Sequence, residues 1–189
     1  MYGINDVFDY ESDILNPRKG GIEGMKEQKA FHPLIIKASI ALCIPFVAFL
    51  VQTGSTRSNL ILAGLMFFVL AYSAKHLRFK EVPFLDSITS SIHFVGPLIF
   101  ALALSNTGGS VVPYVLAFFL WGMASHAFGA VQDIVPDRSA KISSIATWFG
   151  AKSTVRLSFI LYLLSTVILF AQGMPGIIVG LANLLYVAN

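Results

Sequence analysis

The chain has 189 residues, of which 56% are hydrophobic and 12% charged, and its mean hydropathy is +0.74. Soluble domains carry about a quarter charged residues, so this composition excludes an ordinary soluble enzyme and points to a protein solvated by lipid. The net charge of +3 is too small to suggest a nucleic-acid partner, and the single cysteine, Cys43, excludes an intrachain disulfide.

The chain begins with a polar, acidic, turn-rich stretch of about thirty residues, the reverse of a signal peptide. It contains Asn5-Asp6-Val7-Phe8-Asp9-Tyr10-Glu11-Ser12-Asp13. On a helix each residue advances about 100°, so with Asn5 at zero, Asp9 falls near 40°, Asp13 near 80° and Asp6 near 100°. One amide and three carboxylates then share a stripe. Like charges at this spacing oppose helix formation, and a cation would relieve them.

Six apolar stretches follow, at 34–53, 59–74, 87–105, 113–130, 154–172 and 176–188. Most approach the roughly twenty residues a helix needs to cross the hydrocarbon, and helices are the form a lipid-exposed backbone must take. The second and last are short. Pro45, Pro97 and Pro175 are expected to kink or start helices, and Cys43 to be a small buried hydrophobe. The fold class expected is therefore all-α, a polytopic transmembrane bundle, read as one domain over 1–189.

The loops at 14–33, 75–86 and 131–153 alternate with those at 54–58, 106–112 and 173–175. The first set and its flanks carry every basic residue but Arg57, and all of the acidic ones. The positive-inside rule makes that face cytoplasmic, in a cell membrane crossed several times. The rule does not require the acidic residues to be there as well, so both signs of charge are used at one membrane boundary.

The second acidic motif is Asp133-Ile134-Val135-Pro136-Asp137, followed by Arg138 and Lys141. It ends the fourth apolar stretch, and Pro136 predicts a break or a new helix start. Hard oxygen ligands suit Mg2+, which is commonly held by one or two carboxylates plus phosphate oxygens. Asn5, Asp9, Asp13, Asp133 and Asp137 are the candidate ligands. Arg18, Lys19, Arg78, Lys80, Arg138 and Lys141 can complete the charge match to a diphosphate. A lone Asp-x-x-x-Asp pair is more often a solvated helix end; two such motifs on one face are more specific.

These residues resemble the UbiA prenyltransferase superfamily. Its first signature, NDxxDxxxD, is matched by Asn5, Asp6, Asp9 and Asp13, and its second, DxxxD with a following basic residue and glycine, by Asp133, Asp137, Arg138, Lys141 and Gly150. A Tyr-Ser segment leading to Leu-Arg-x-Lys is matched by Tyr72, Ser73, Leu77, Arg78 and Lys80. Lys75 and His76 stand where the family usually has two prolines, so that loop is expected to differ in shape. The resemblance covers nearly the whole chain. It implies a nine-helix membrane bundle of which the first helix, most of the second and the last are missing here, so the chain looks truncated at both ends. Within the superfamily, Asn16-Pro17-Arg18-Lys19-Gly20-Gly21, Pro83-Phe84-Leu85-Asp86-Ser87, His93-Phe94-Val95-Gly96 and His126-Ala127-Phe128-Gly129-Ala130 look like the lycopene elongases.

The resemblance implies Mg2+-dependent transfer of a prenyl group from an allylic diphosphate, dimethylallyl diphosphate in the elongase reading, to lycopene. Asp6, Asp9, Asp133 and Asp137 are the expected catalytic acids, and Asn5 joins the basic residues in binding the diphosphate. Phe and Tyr faces can stabilise the allylic cation by about 2 kcal/mol or more each when desolvated. Tyr72, His93 and His126 are possible pocket residues, since polar groups in membrane spans are functional suspects; the alternative for the histidines is a neutral imidazole bonded between helices. Asp86 opens a span and is expected to be an N-cap, the alternative being a further site residue. Competing readings are a quinone-precursor or other lipid acceptor, a cation transporter or channel, and a structural subunit. The spans carry no mid-membrane carboxylate, which argues against transport, and no protein partner is legible.

Overall fold

The structure is a computed structural model that describes residues 2–17, 19–21, 25–106 and 111–188. Among them there are helices and turns and no strand. In chain order the α-helices are α1 (Tyr2–Phe8), α2 (Tyr10–Asp13), α3 (His32–Thr53), α4 (Thr56–Ser73), α5 (Leu85–Leu104), α6 (Val112–Ala130), α7 (Ile134–Ser139), α8 (Ile145–Phe149), α9 (Ala151–Phe170) and α10 (Gly173–Ala188). The segments of α3, α4, α5, α6 and α9 are long and apolar enough to cross a bilayer. The 22 residues of α3 rise about 33 Å, slightly more than a hydrocarbon core of about 30 Å. α10 is shorter, with 16 residues.

α4, α5, α6, α9 and α10 pack one against the next in chain order, while α3 lies against α1 and buries none of its residues. The chemistry of the buried faces is that of a bundle in lipid. α9 turns Thr154, Ser158, Tyr162, Ser165, Thr166 and Leu169 inward and exposes Phe159, Ile160, Leu163, Leu164 and Val167. Lipid tails are as apolar as leucine, so helices associate through close packing and hydrogen bonds instead. Ser165 donates to the Ala117 carbonyl of α6 at 2.8 Å, and Asn183 of α10 donates to Thr166 Oγ1 at 2.9 Å. Between α5 and α6, Gly122 meets Ser91 so closely that a Cβ there would lie 2.5 Å from Ser91 Oγ and 3.2 Å from its Cα.

Several local expectations are corrected. α4 begins three residues earlier than its apolar run, because Ser55 caps it by accepting from the Ser58 amide at 3.3 Å. Cys43 is exposed, since α3 has no neighbour on that face among the described residues. Asp86 is not the N-cap of α5; Phe84 holds that position at φ 69°. Asp86 sits inside the first turn and accepts from the Ile145 amide at 2.7 Å, tying α5 to the start of α8. Pro45 and Pro97 lie inside their helices. The connection from α4 to α5 bends sharply, with His76 at φ 76° and Arg78 at φ 42° in the left-handed region. Non-glycine residues rarely adopt that conformation, and here it begins at His76, directly after Lys75.

Candidate functional site

The first acidic motif is not one helix. α1 ends at Phe8, Asp9 forms the junction, and α2 follows, although the Asp9 and Asp13 amides still bond to the Asn5 and Asp9 carbonyls at 2.8 Å each. The second motif breaks as its proline predicts. α6 passes through a 3-10 turn at Val131–Asp133 into α7. Four membrane helices lie between the motifs in the chain, and the fold nevertheless brings both to one cavity of about 440 Å³.

Asn5, Asp9 and Asp13 line this cavity from one side, and Asp133 and Asp137 from the other. Asn16 links the two, its Nδ2 donating to Asp133 Oδ1 at 3.4 Å. Lys26 holds Asn16 in place by donating to its carbonyl at 2.9 Å. Asp9 and Asp13 are buried. Lys80 Nζ lies 2.5 Å from Asp9 Oδ2, Arg78 Nη2 lies 3.8 Å from Asp9 Oδ1, and Lys19 Nζ lies 3.9 Å from Asp13 Oδ2. Arg78 also donates to the Phe8 carbonyl at 3.1 Å and pairs with Glu81, so the left-handed turn at Arg78 places two cations against the helix junction. Ser73, at the end of α4, donates to Asn5 Oδ1. Across the cavity, Ser144 donates to Asp137 Oδ2 at 3.4 Å. Burial raises the carboxyls of Asp6 and Asp13 above the ordinary carboxylate value; Lys19 draws both back down, and neighbouring Asp9 adds to the rise. Buried carboxylates crowded in this way gain from a bound cation.

Of the residues singled out in the sequence, Asn5, Asp9, Asp13, Lys19, Lys80, Asp133 and Asp137 line the cavity, together with Tyr72 and His126. Five others do not. Asp6, expected with the catalytic acids, is half-buried beside the Met25 backbone amide; it stands about 100° round α1 from Asn5, at the edge of the stripe, which carries it off the cavity face. Arg78 stands behind Asp9 rather than at the cavity. Arg138 is exposed and donates to the Thr147 carbonyl at 3.3 Å. Lys141 is exposed in the turn after α7, at φ 58°. His93 packs edge-on against Tyr72, with ring centroids 5.2 Å apart, from outside the cavity. Arg18 lies outside the described residues.

The structure adds Asn16, Ser90, Ser125, Gln132 and Ser144 to the lining. Gln132 borders Asp133 in the sequence and Asn16 follows the first motif, so adjacency could have suggested both. The serines of the spans carry no such signal.

The residues present fit a hard divalent cation. Each motif contributes carboxylate or amide oxygens to the same space, with cationic side chains around them. Among the described residues no three His, Cys, Asp or Glu side chains converge on one point. The donor set is therefore suited to an ion that takes one or two carboxylates and completes its shell with water and phosphate oxygens, as Mg2+ does.

Comparison with known proteins gives the same architecture. The sequence profile of the UbiA prenyltransferase family matches residues 1–188. A lycopene elongase/hydratase of Corynebacterium glutamicum is 49% identical over 100% of this chain and 67% of its own length. The C(50) beta-cyclic carotenoids biosynthesis protein LbtBC of a Dietzia species is 51% identical, over 90% of this chain and 40% of its own length. Among solved structures, a UbiA homolog from Archaeoglobus fulgidus bound to DMAPP and Mg2+ superposes with a TM-score of 0.75 at 18% identity, covering 98% of this chain and 67% of that one. The chain thus spans about two thirds, or less, of the length of these relatives.

Proposed function

Since the chain belongs to the UbiA prenyltransferase family, we propose that it carries the reaction centre of a Mg2+-dependent enzyme that moves the dimethylallyl group of dimethylallyl diphosphate onto lycopene. The observation that carries this reading is the meeting of Asn5, Asp9 and Asp13 with Asp133 and Asp137 around one cavity. Two anionic motifs so placed suit a polyanion only if cations stand between them, which is the situation of a metal-bound diphosphate. The relatives named lycopene elongase/hydratase support the polyene acceptor, and the DMAPP-bound homolog supports the donor.

Asp9, Asp13, Asp133 and Asp137, with the Asn5 amide, would hold the metal. When bound, Mg2+ draws charge onto the diphosphate and eases cleavage of the allylic C–O bond. Lys80 and Lys19 reach the same space and can exchange their carboxylate partners for diphosphate oxygens, screening charge as it develops on the leaving group. Tyr72 and Phe94 also line the cavity, where their rings can stabilise the allylic cation. That cation adds to a terminal double bond of the acceptor, and water captures the resulting tertiary cation as an alcohol. The basic residues around the mouth support an opening on the cytoplasmic side of the membrane.

The test is prenyl transfer by the protein at its full natural length in liposomes, with Mg2+ and dimethylallyl diphosphate. Lycopene and 4-hydroxybenzoate are offered together and products identified by mass. Elongated lycopene supports the reading. Prenylated benzoate alone replaces the acceptor with an aromatic quinone precursor. No transfer to either, with the protein folded, removes the reading.

A further inference from the structure

Asp86 is fully buried and has no part in the chemistry above. A buried carboxylate in a membrane bundle is costly, and at the start of α8 only the Ile145 amide is left for it to satisfy. Ser144 and Thr147 already form a reciprocal cap there, with the Ser144 amide donating to Thr147 Oγ1 at 2.7 Å and the Thr147 amide to Ser144 Oγ at 3.3 Å. Asp86 is instead held rigidly. Its Oδ1 accepts from the Ser87 amide at 2.6 Å and its Oδ2 from the Ile145 amide at 2.7 Å. The same Oδ2 lies 3.8 Å from His126 Nε2, within ion-pair range.

His126 in turn lines the cavity. It stands seven residues before Asp133, about 10 Å from it along the helix axis, and so is set back from the acidic motif that would hold the metal-bound diphosphate. Nε2 is the nitrogen nearer Asp86, so where it carries the hydrogen Nδ1 is left to accept a proton. Ser90 and Ser125 border the same cavity, and Ser125 is itself anchored to the Tyr162 hydroxyl at 2.9 Å. Two hydroxyls and an imidazole supply the polar partners that an ordered water needs.

We propose that His126 is the base that deprotonates the capturing water, and that Asp86 is the positioning residue that orients it. The inference rests on the proposed transfer to a carbon–carbon double bond. After the new C–C bond has formed, the positive charge sits on a tertiary carbon of the acceptor. The oxygen of one water molecule donates a lone pair to that carbon, forming a C–O bond, and the protonated alcohol releases one proton to His126. The imidazolium is balanced by Asp86. Without a base positioned on the water, the released diphosphate or a water molecule instead takes a proton from a neighbouring carbon of the cation and leaves an alkene. The pair therefore decides between two products of one cation.

The experiment reads the alcohol-to-alkene ratio within the prenylated product, which does not depend on total turnover. The full-length protein in liposomes is given Mg2+, dimethylallyl diphosphate and lycopene in 18O-labelled water, and products are resolved by mass. The parent is expected to form labelled alcohol. His126→Gln, on the cavity wall, and Asp86→Asn, which keeps an oxygen for the Ile145 amide, are each expected to lower the ratio by about tenfold or more, since a positioned base contributes about 10²–10⁴-fold. An unchanged ratio in His126→Gln overturns the proposal even if Asp86→Asn does not fold, and so does loss of all prenylated product from both variants. A parent that prenylates lycopene but forms only alkene overturns this inference and leaves the proposed transfer standing. A parent that prenylates nothing overturns both.

Discussion

Asp9 and Asp137 face one cavity from opposite motifs, and their surroundings differ. Asp9 is bracketed by Lys80 and Arg78, delivered by a loop whose backbone turns left-handed at Arg78. Asp137 sits in the first turn of α7 and accepts from the Ser144 hydroxyl. An ion pair holds a carboxylate in place but spends much of its charge, whereas a hydroxyl positions a carboxylate and leaves the charge for another cation. The first motif is thus organised by side chains that can later turn to the diphosphate, and Asp137 by a neutral group that makes no such exchange.

This contrast is tested most strongly by Asp137→Asn. Prenyl transfer should fall on the order of 10²–10³-fold, the usual cost of removing one electrostatic stabiliser from a reaction centre. The Mg2+ concentration giving half-maximal rate should rise with it. An equal loss with unchanged Mg2+ dependence would separate Asp137 from the metal. Lys80→Ala comes next. Its loss should appear in kcat/KM for the allylic diphosphate, by about 10–100-fold, if the interaction removed is the proposed charge-assisted contact to the leaving group. Lys80→Arg should recover part of that loss. If Lys80→Ala changed only thermal stability, Lys80 would be a fixed partner of Asp9 and the proposed exchange would fail.

The membrane helices were legible because bilayer thickness sets their length and apolar composition their position; only the ends moved, as where Ser55 caps α4 ahead of its apolar run. The break at the second motif was legible from Pro136. Asp6 falls off the site because it lies about 100° round the helix from Asn5, and a shared stripe that wide does not fix which of its side chains reach one cavity. Arg138 and Lys141 were expected at the site on charge alone, which gives a count of cations at a boundary and not their directions. Asp86 was read as a local cap, yet its partner Ile145 lies 59 residues away. Periodicity carries no information about contacts at that range.

Asn16→Ala probes the link between the two motifs with a smaller effect. The amide contributes one hydrogen bond across the cavity to Asp133, worth about 1 kcal/mol, so turnover should fall about fivefold. KM for the donor should rise while the Mg2+ dependence changes less than in Asp137→Asn. A loss as large as that of the carboxylate variant would make Asn16 a ligand rather than a brace.

The smallest effect is expected at Arg138, and it separates charge at the boundary from charge at the site. Its guanidinium is exposed and donates to the Thr147 carbonyl outside the cavity. Solvent-exposed contacts of this kind contribute about 0–1 kcal/mol. Arg138→Ala should therefore leave kcat/KM for the allylic diphosphate within about threefold of the parent, while Lys80→Ala, on a residue that lines the cavity, does not. Steady-state rates at several donor concentrations decide the matter. A large rise in KM for Arg138→Ala would mean that α7 rotates when donor binds and brings this side chain inward, so that both motifs, and not the first alone, would answer the diphosphate with a basic residue.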